Sequence, residues 1–144
     1  MERWNRAMDE IEQNLTGQID YERLGRIACC SAYHCQRMFP YLAGVPLSEY
    51  VRRRRMSLAA ADLQSGKDRI IDIAARYGYE SPTAFNRAFR AVHGIAPSAV
   101  RTGGVPVKCY PRMVFSLSVQ GGEEMQYRIE TRDAFRVVGI SRPL

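Results

Sequence analysis

The chain has 144 residues, 46% apolar and 25% charged, with a net charge of +6. That length suits one ordinary domain, or one small domain plus part of another, and the balance is that of a globular chain and not a disordered one. No run of about 18 apolar residues occurs, so no membrane partner is expected, and the acidic, polar start MERWNRAMDEIEQNL is unlike a secretory signal, which points to a cytoplasmic protein.

The first helix is predicted from Met1 to Leu15, with Trp4, Met8, Ile11 and Leu15 on one face. Asp20 is positioned to cap a second, YERLGRIA, whose Leu24, Ile27 and Ala28 face one way. Ser31 caps a third, Ala32 to Tyr41, with Cys35, Met38, Phe39 and Leu42 inward, and Gly44 suits its left-handed end. Ser48 opens a longer helix, EYVRRRRMSLAAADLQSG, of about 17 residues and thus about 25 Å. Gly66 closes it. DRIIDIAARYGY follows as a short helix ending at Gly78, then Ser81 starts PTAFNRAFRAVHG with Pro82 at the favoured first position, and APSAVR adds a final turn or two.

After Arg101 the character changes. TGGVP, residues 102–106, is a linker by composition, and residues 107–144 alternate polar and apolar positions rich in Val, Tyr, Phe, Thr and Ile. They are expected to form strands around the turn in GGEE. Two or three strands alone have too little core to be stable, so this segment reads either as the start of a second, incomplete domain or as strands that pair with something else.

SAYHCQRMFPYLAG and SPTAFNRAFRAVHG share a skeleton. Ser31 meets Ser81, fifty positions on, and likewise Gln36 meets Asn86, Arg37 meets Arg87, Phe39 meets Phe89 and Gly44 meets Gly94. At the same offset, Leu24 would meet Ala74 and Ile27 would meet Tyr77. Two copies do not make a solenoid. They describe two helix–turn–helix units joined by the long helix, with CCS and GYES as turns. Gly78 tolerates the positive φ such a turn needs, whereas Cys29 near the equivalent place is a less comfortable residue.

The second helix of such a unit projects outward and fits the DNA major groove, about 12 Å wide. With the apolar positions inward, Ala32, Tyr33, Gln36 and Arg37 face solvent on one helix, and Pro82, Thr83, Asn86 and Arg87 on the other. Arg can grip guanine O6 and N7, and Gln or Asn can grip adenine N6 and N7, each through two hydrogen bonds. Either helix alone would pass for an ordinary polar surface helix; two with the same paired chemistry point to base reading. Groove faces one turn apart lie about 34 Å from each other, a separation that a 25 Å rod with flanking turns is suited to hold. The first helix, richer in hydrogen-bonding side chains, is expected to carry more of the specificity.

Charge agrees with a polyanionic partner. Residues 1–22 hold two Arg against six acids, whereas residues 23–101 hold thirteen Lys and Arg against five acids, a net of +8. Four consecutive residues span about 400° of helix, so RRRR, Arg52 to Arg55, cannot all face one way. Arg52 and Arg53 are phosphate candidates, with Arg90, Arg101 and the capping Ser31 and Ser81. Arg55 is expected to point back and hold the domain together.

The segment from about Ile19 to Arg101 resembles the DNA-binding domain of the AraC/XylS family of transcription regulators. The resemblance rests on LGRIACCSAYHCQRMF, GVPLSEYVRRRRM, IIDIAARYGYESPTAFNRAF and GIAPSAVR, with Gly25 where the family usually has alanine and Cys35 where it usually has leucine. It implies a mainly α fold of seven helices, covering residues 1–101, that inserts its third and sixth helices into adjacent major-groove segments of double-stranded promoter DNA, with RNA polymerase as a further possible partner. The tail MQYRIETRDAFRVVGIS resembles the opening of a GyrI-like effector-binding domain, which implies a small-molecule effector and an incomplete α+β domain over residues 107–144. Tyr127 and Phe135 are pocket candidates there, though core positions suit both better.

Other readings find less support. His34 and His93 have no nucleophile or carboxylate at a recognisable spacing, and no P-loop or dinucleotide fingerprint appears, so no enzyme and no cofactor is expected. Cys29, Cys30, Cys35 and Cys109 form no C-x-x-C pair, which disfavours a metal site. They suit small apolar fillers of a reduced protein. A redox-responsive regulator using these thiols, or a protein-interaction module with a basic face, are the alternatives.

Overall fold

The structure is a computed structural model that describes residues 1–120 and 126–133, with side chains through Leu117. The described residues form seven helices and two strands, in chain order: α1 (Glu2–Gln13), α2 (Tyr21–Ile27), α3 (Ala32–Ala43), α4 (Leu47–Ser65), α5 (Ile70–Arg76), α6 (Pro82–His93), α7 (Pro97–Thr102), β1 (Met113–Gln120) and β2 (Gln126–Asp133). The fold is mainly helical, as the apolar periodicity and caps predict. Among the described residues no helix is long and apolar enough to cross a membrane. The turn expected in GGEE, the Tyr127 side chain and Phe135 lie outside what the structure describes.

The chain divides into two compact units. The first comprises Met1–Glu12, Asp20–Leu47 and the segment from Pro111 on. It buries Ala7, Met8 and Ile11 of α1, Leu24 of α2, Cys35, Phe39 and Leu42 of α3, and Phe115 of β1. Met38, predicted inward, is exposed, while Phe39 one residue on takes the inward place. Asp20 caps α2 by accepting from Arg23 N at 3.1 Å.

β1 belongs to this unit. It pairs antiparallel with β2, from Met113 opposite Asp133 to Gln120 opposite Gln126, and β2 runs beside α3. The Asn5 side chain of α1 grips the Phe115 backbone twice, donating from Nδ2 to its carbonyl at 2.8 Å and accepting from its N–H at 2.7 Å. Arg112 pairs with Asp9. Residues 107–112, expected as strand, are not: Pro106 and Pro111 lack the N–H a ladder needs, and β1 starts only at Met113.

The second unit comprises Gln13–Ile19 and Ser48–Tyr110. Its core joins Met56, Ala59, Ala60 and Leu63 of α4, Ile73 and Ala74 of α5, Phe85, Ala88, Phe89 and Val92 of α6, and Val100 of α7. Tyr77, at the end of α5, is buried with them, and its hydroxyl donates to Asp62 at 2.7 Å. Arg76 bridges Asp62 at 2.8 Å and Asp68 at 2.6 Å, and Arg101 donates to the Asp68 carbonyl. Arg55 points back as expected, donating to the carbonyls of Leu15 at 2.9 Å and Gly17 at 2.7 Å. Both ring nitrogens of His93 face carbonyl oxygens, Nδ1 that of Lys108 at 2.6 Å and Nε2 that of Met56 at 2.9 Å, and its ring lies 4.4 Å from that of Phe89.

Candidate nucleic-acid interface

Each unit presents the second helix of its helix–turn–helix, α3 or α6, through the same local device. α2 and α5 are seven residues long, and α3 and α6 twelve. Ser31 accepts from His34 N at 3.0 Å and Ser81 from Ala84 N at 3.1 Å, so α3 and α6 both start on a serine cap. Both end on a glycine in the left-handed region, Gly44 and Gly94.

The repeat is not uniform. Downstream of the serines the offset is fifty, but α2 and α5, which begin at Tyr21 and Ile70, stand 49 apart. Leu24 therefore matches Ile73 and Gly25 matches Ala74, which corrects the pairing of Leu24 with Ala74. The hydrogen bonds follow the shorter offset: Cys30 N donates to Gly25 O at 2.7 Å and Tyr79 N to Ala74 O at 2.9 Å. The first turn is one residue shorter, and this explains two residues. A Cβ at position 25 would meet Cys30 O at 2.7 Å and Ala32 N at 2.8 Å, so the tight turn accepts only glycine where the longer turn accepts Ala74. Cys29 takes the place of Gly78 and adopts the same positive φ, 61° against 88°. It is the one non-glycine residue with positive φ among the described residues.

The predicted base-facing residues are placed on the outer faces. Tyr33, Gln36 and Arg37 of α3 are exposed, with Ala32 half-buried at its start; Pro82, Thr83, Asn86 and Arg87 of α6 are all exposed. The two sets differ in how they are held. Arg37 donates to the Tyr33 hydroxyl at 2.9 Å and its guanidinium lies 5.5 Å over the Tyr33 ring. Asn86 accepts from Arg90 Nε at 3.3 Å. Gln36 and Arg87 have no side-chain partner among the described residues. Pro40, inside α3, has no N–H to donate to the Gln36 carbonyl.

The predicted phosphate set is more committed than the sequence suggests. Arg52 and Arg53 both bind Glu49, at 2.5 and 3.0 Å, and Arg53 also lies 4.7 Å over the Tyr110 ring. Arg54 donates to the Tyr110 carbonyl at 2.7 Å. Arg101 is half-buried on Asp68, and Arg90 stays exposed beside Asn86. Ser31 and Ser81 are exposed at the starts of their helices. Glu49, which gathers two cations, was not singled out by sequence; its place one helical turn before RRRR was the available signal.

The thiols are free: Cys29 and Cys109 exposed, Cys30 half-buried, Cys35 buried. Burial, then the neighbouring Cys30, pushes the Cys35 thiol from 9.0 up to about 11. Such a thiol is a poor nucleophile at neutral pH.

Comparison with known proteins agrees with this geometry. A helix-turn-helix domain family matches residues 24–103. The transcriptional activator AarP of Providencia stuartii is 40% identical over 91 residues, covering 63% of this chain and 67% of that protein. The multiple antibiotic resistance protein MarA of Escherichia coli is 33% identical over 94 residues, covering 65% and 74%. A regulator of Bacillus subtilis, YbfP, is 37% identical over 97 residues, which are only 33% of its length. Among solved structures, the C-terminal domain of AraT, a response regulator from Geobacillus stearothermophilus, superposes with a TM-score of 0.63 at 25% identity, covering 71% of this chain and 85% of that one. An AraC-type regulator from Chromobacterium violaceum shares the fold, with a TM-score of 0.65 at 22% identity over 70% of this chain and 90% of that one. The family match runs from α2 through α7, across both helix–turn–helix units: the chain belongs to the AraC family of transcription regulators and carries its helix-turn-helix DNA-binding domain.

Proposed function

We propose that this protein reads promoter DNA through α3 and α6, each entering the major groove of one of two adjacent segments. The observation that carries the reading is the repeated outward pair, Gln36 with Arg37 and Asn86 with Arg87, on helices whose opposite faces are locked in apolar cores. Arg37 and Arg87 take guanine edges and Gln36 and Asn86 adenine edges. Tyr33 and Thr83 add contacts from the first turns, where Ala32 and Pro82 make room for close approach or apolar contact with a thymine methyl. Ser31 and Ser81, Arg52, Arg53, Arg90 and Arg101 hold phosphates, with the Glu49 and Asp68 contacts setting what each cation gives up on binding. Contact with RNA polymerase, and control by a small molecule through the region from residue 107 on, complete the proposed role.

Selection of binding sites from random duplexes tests it. A reading protein enriches two motifs about one helical turn apart, and Arg37→Ala and Arg87→Ala each relax one of them. Enrichment of no motif, with salt-independent affinity, would remove the reading.

A further inference from the structure

We propose that Phe115 is a positioning residue for α3, so that the strand following the helix-turn-helix domain completes the first reading unit. The inference rests on the reading of α3 as a DNA-contacting helix. The family match ends at residue 103, yet Phe115 lies 2% exposed inside the first unit. Of the described residues after Val100, it is the buried apolar side chain. Its ring meets that of Phe39 edge-on at 6.0 Å, with planes at 76°.

Phe39 is two residues beyond Arg37, about 200° around the helix, and therefore nearly opposite it. Whatever seats Phe39 sets the rotation of α3 about its axis. A rotation of about 15° moves a group at the roughly 6 Å outer radius of a helix by about 1.5 Å, enough to lose a bidentate base contact. Phe115 is itself held at its backbone, because the Asn5 amide occupies both its carbonyl and its N–H. Asn5 thus serves as a one-residue strand partner on β1, while β2 pairs along the strand and runs beside α3. A chain running α1–Asn5–Phe115–Phe39–α3 links the hairpin to the reading face. Through it, a change in the hairpin reaches the DNA contacts of the first unit.

The test uses the full chain with duplexes selected as above. Arg37→Ala and Arg87→Ala first map which base positions each helix reads. Phe115→Ala and Asn5→Ala should then weaken binding roughly tenfold, the loss expected when α3 is seated in about one molecule in ten. They should flatten preference only at the positions that Arg37→Ala relaxes, and Phe115→Leu should restore most of it. Asn5→Ala, which deletes two hydrogen bonds and no core volume, stands in if Phe115→Ala loses its helical circular dichroism. Unchanged affinity and preference in folded variants, or equal flattening at the Arg87 positions, would overturn the proposal while leaving the reading of α3 intact. If Arg37→Ala relaxes no position, the reading itself fails and the proposal with it.

Discussion

Arg37 and Tyr33 lie one turn apart on α3, and the arginine both donates to the tyrosine hydroxyl at 2.9 Å and stacks 5.5 Å over its ring. An arginine held this way has less side-chain freedom to lose on binding than Arg87, which is exposed and has no side-chain partner among the described residues. Arg37→Ala should cost about 1–3 kcal/mol for a preferred site and relax one or two base positions. Tyr33→Phe, which keeps the ring and removes the acceptor, should cost less than Tyr33→Ala. Titration of labelled duplexes checks the order; equal affinities for the two tyrosine variants would assign the hydroxyl no role.

The short first turn makes opposite predictions at two neighbouring positions. Gly25→Ala forces a methyl against the Cys30 carbonyl and should destabilise the protein by about 1–3 kcal/mol. Cys29→Gly removes a side chain from the left-handed region and should stabilise it by up to about 1 kcal/mol. Urea unfolding of both variants reads the two signs.

Alkaline stability should depend on Cys35. Its thiol is raised in the folded state, so its contribution is fully present below pH 9 and is lost as pH rises toward about 11, because the unfolded chain releases that proton first. Tyr77, raised by burial and then by the Asp62 carboxylate, extends the loss to higher pH in the same direction. In Cys35→Val the fall in stability between pH 9 and 11 should be shallower than in the wild type, by denaturant midpoint at each pH. A parallel fall in both would remove Cys35 as its source.

Glu49 holds Arg52 and Arg53, so the two cations reach a phosphate only by sharing or leaving that carboxylate. Arg52→Ala should weaken all sequences about equally and lower the slope of log affinity against log salt by about 1. Glu49→Gln should raise affinity for random DNA at low salt, with a steeper salt dependence. An unchanged slope in both variants would place these arginines away from the phosphates.

Much of the local structure was legible because its causes are local. Asp20, Ser31 and Ser81 announce helix starts, since a side-chain oxygen there satisfies an orphan N–H. The inward places of Cys35, Phe39, Phe85 and Phe89 follow from the 3.6-residue period. Met38 defeated that rule. It borders the apolar stripe, and with Phe39 filling the inward place its flexible side chain stays exposed.

By itself, the sequence determined the helices, their caps, the twofold repeat and the outward amide–arginine pairs, because these depend on residues within a few positions of each other. Only the tertiary structure decided what the distant partners do. It set the 49-residue offset of α2 and α5, the need for Gly25, the partners of the four arginines, and the return of Phe115 to Phe39 through Asn5. Asn5 and Phe115 are 110 positions apart, and no periodicity carries over such a distance. A contact of that kind exists only when a whole core closes around it.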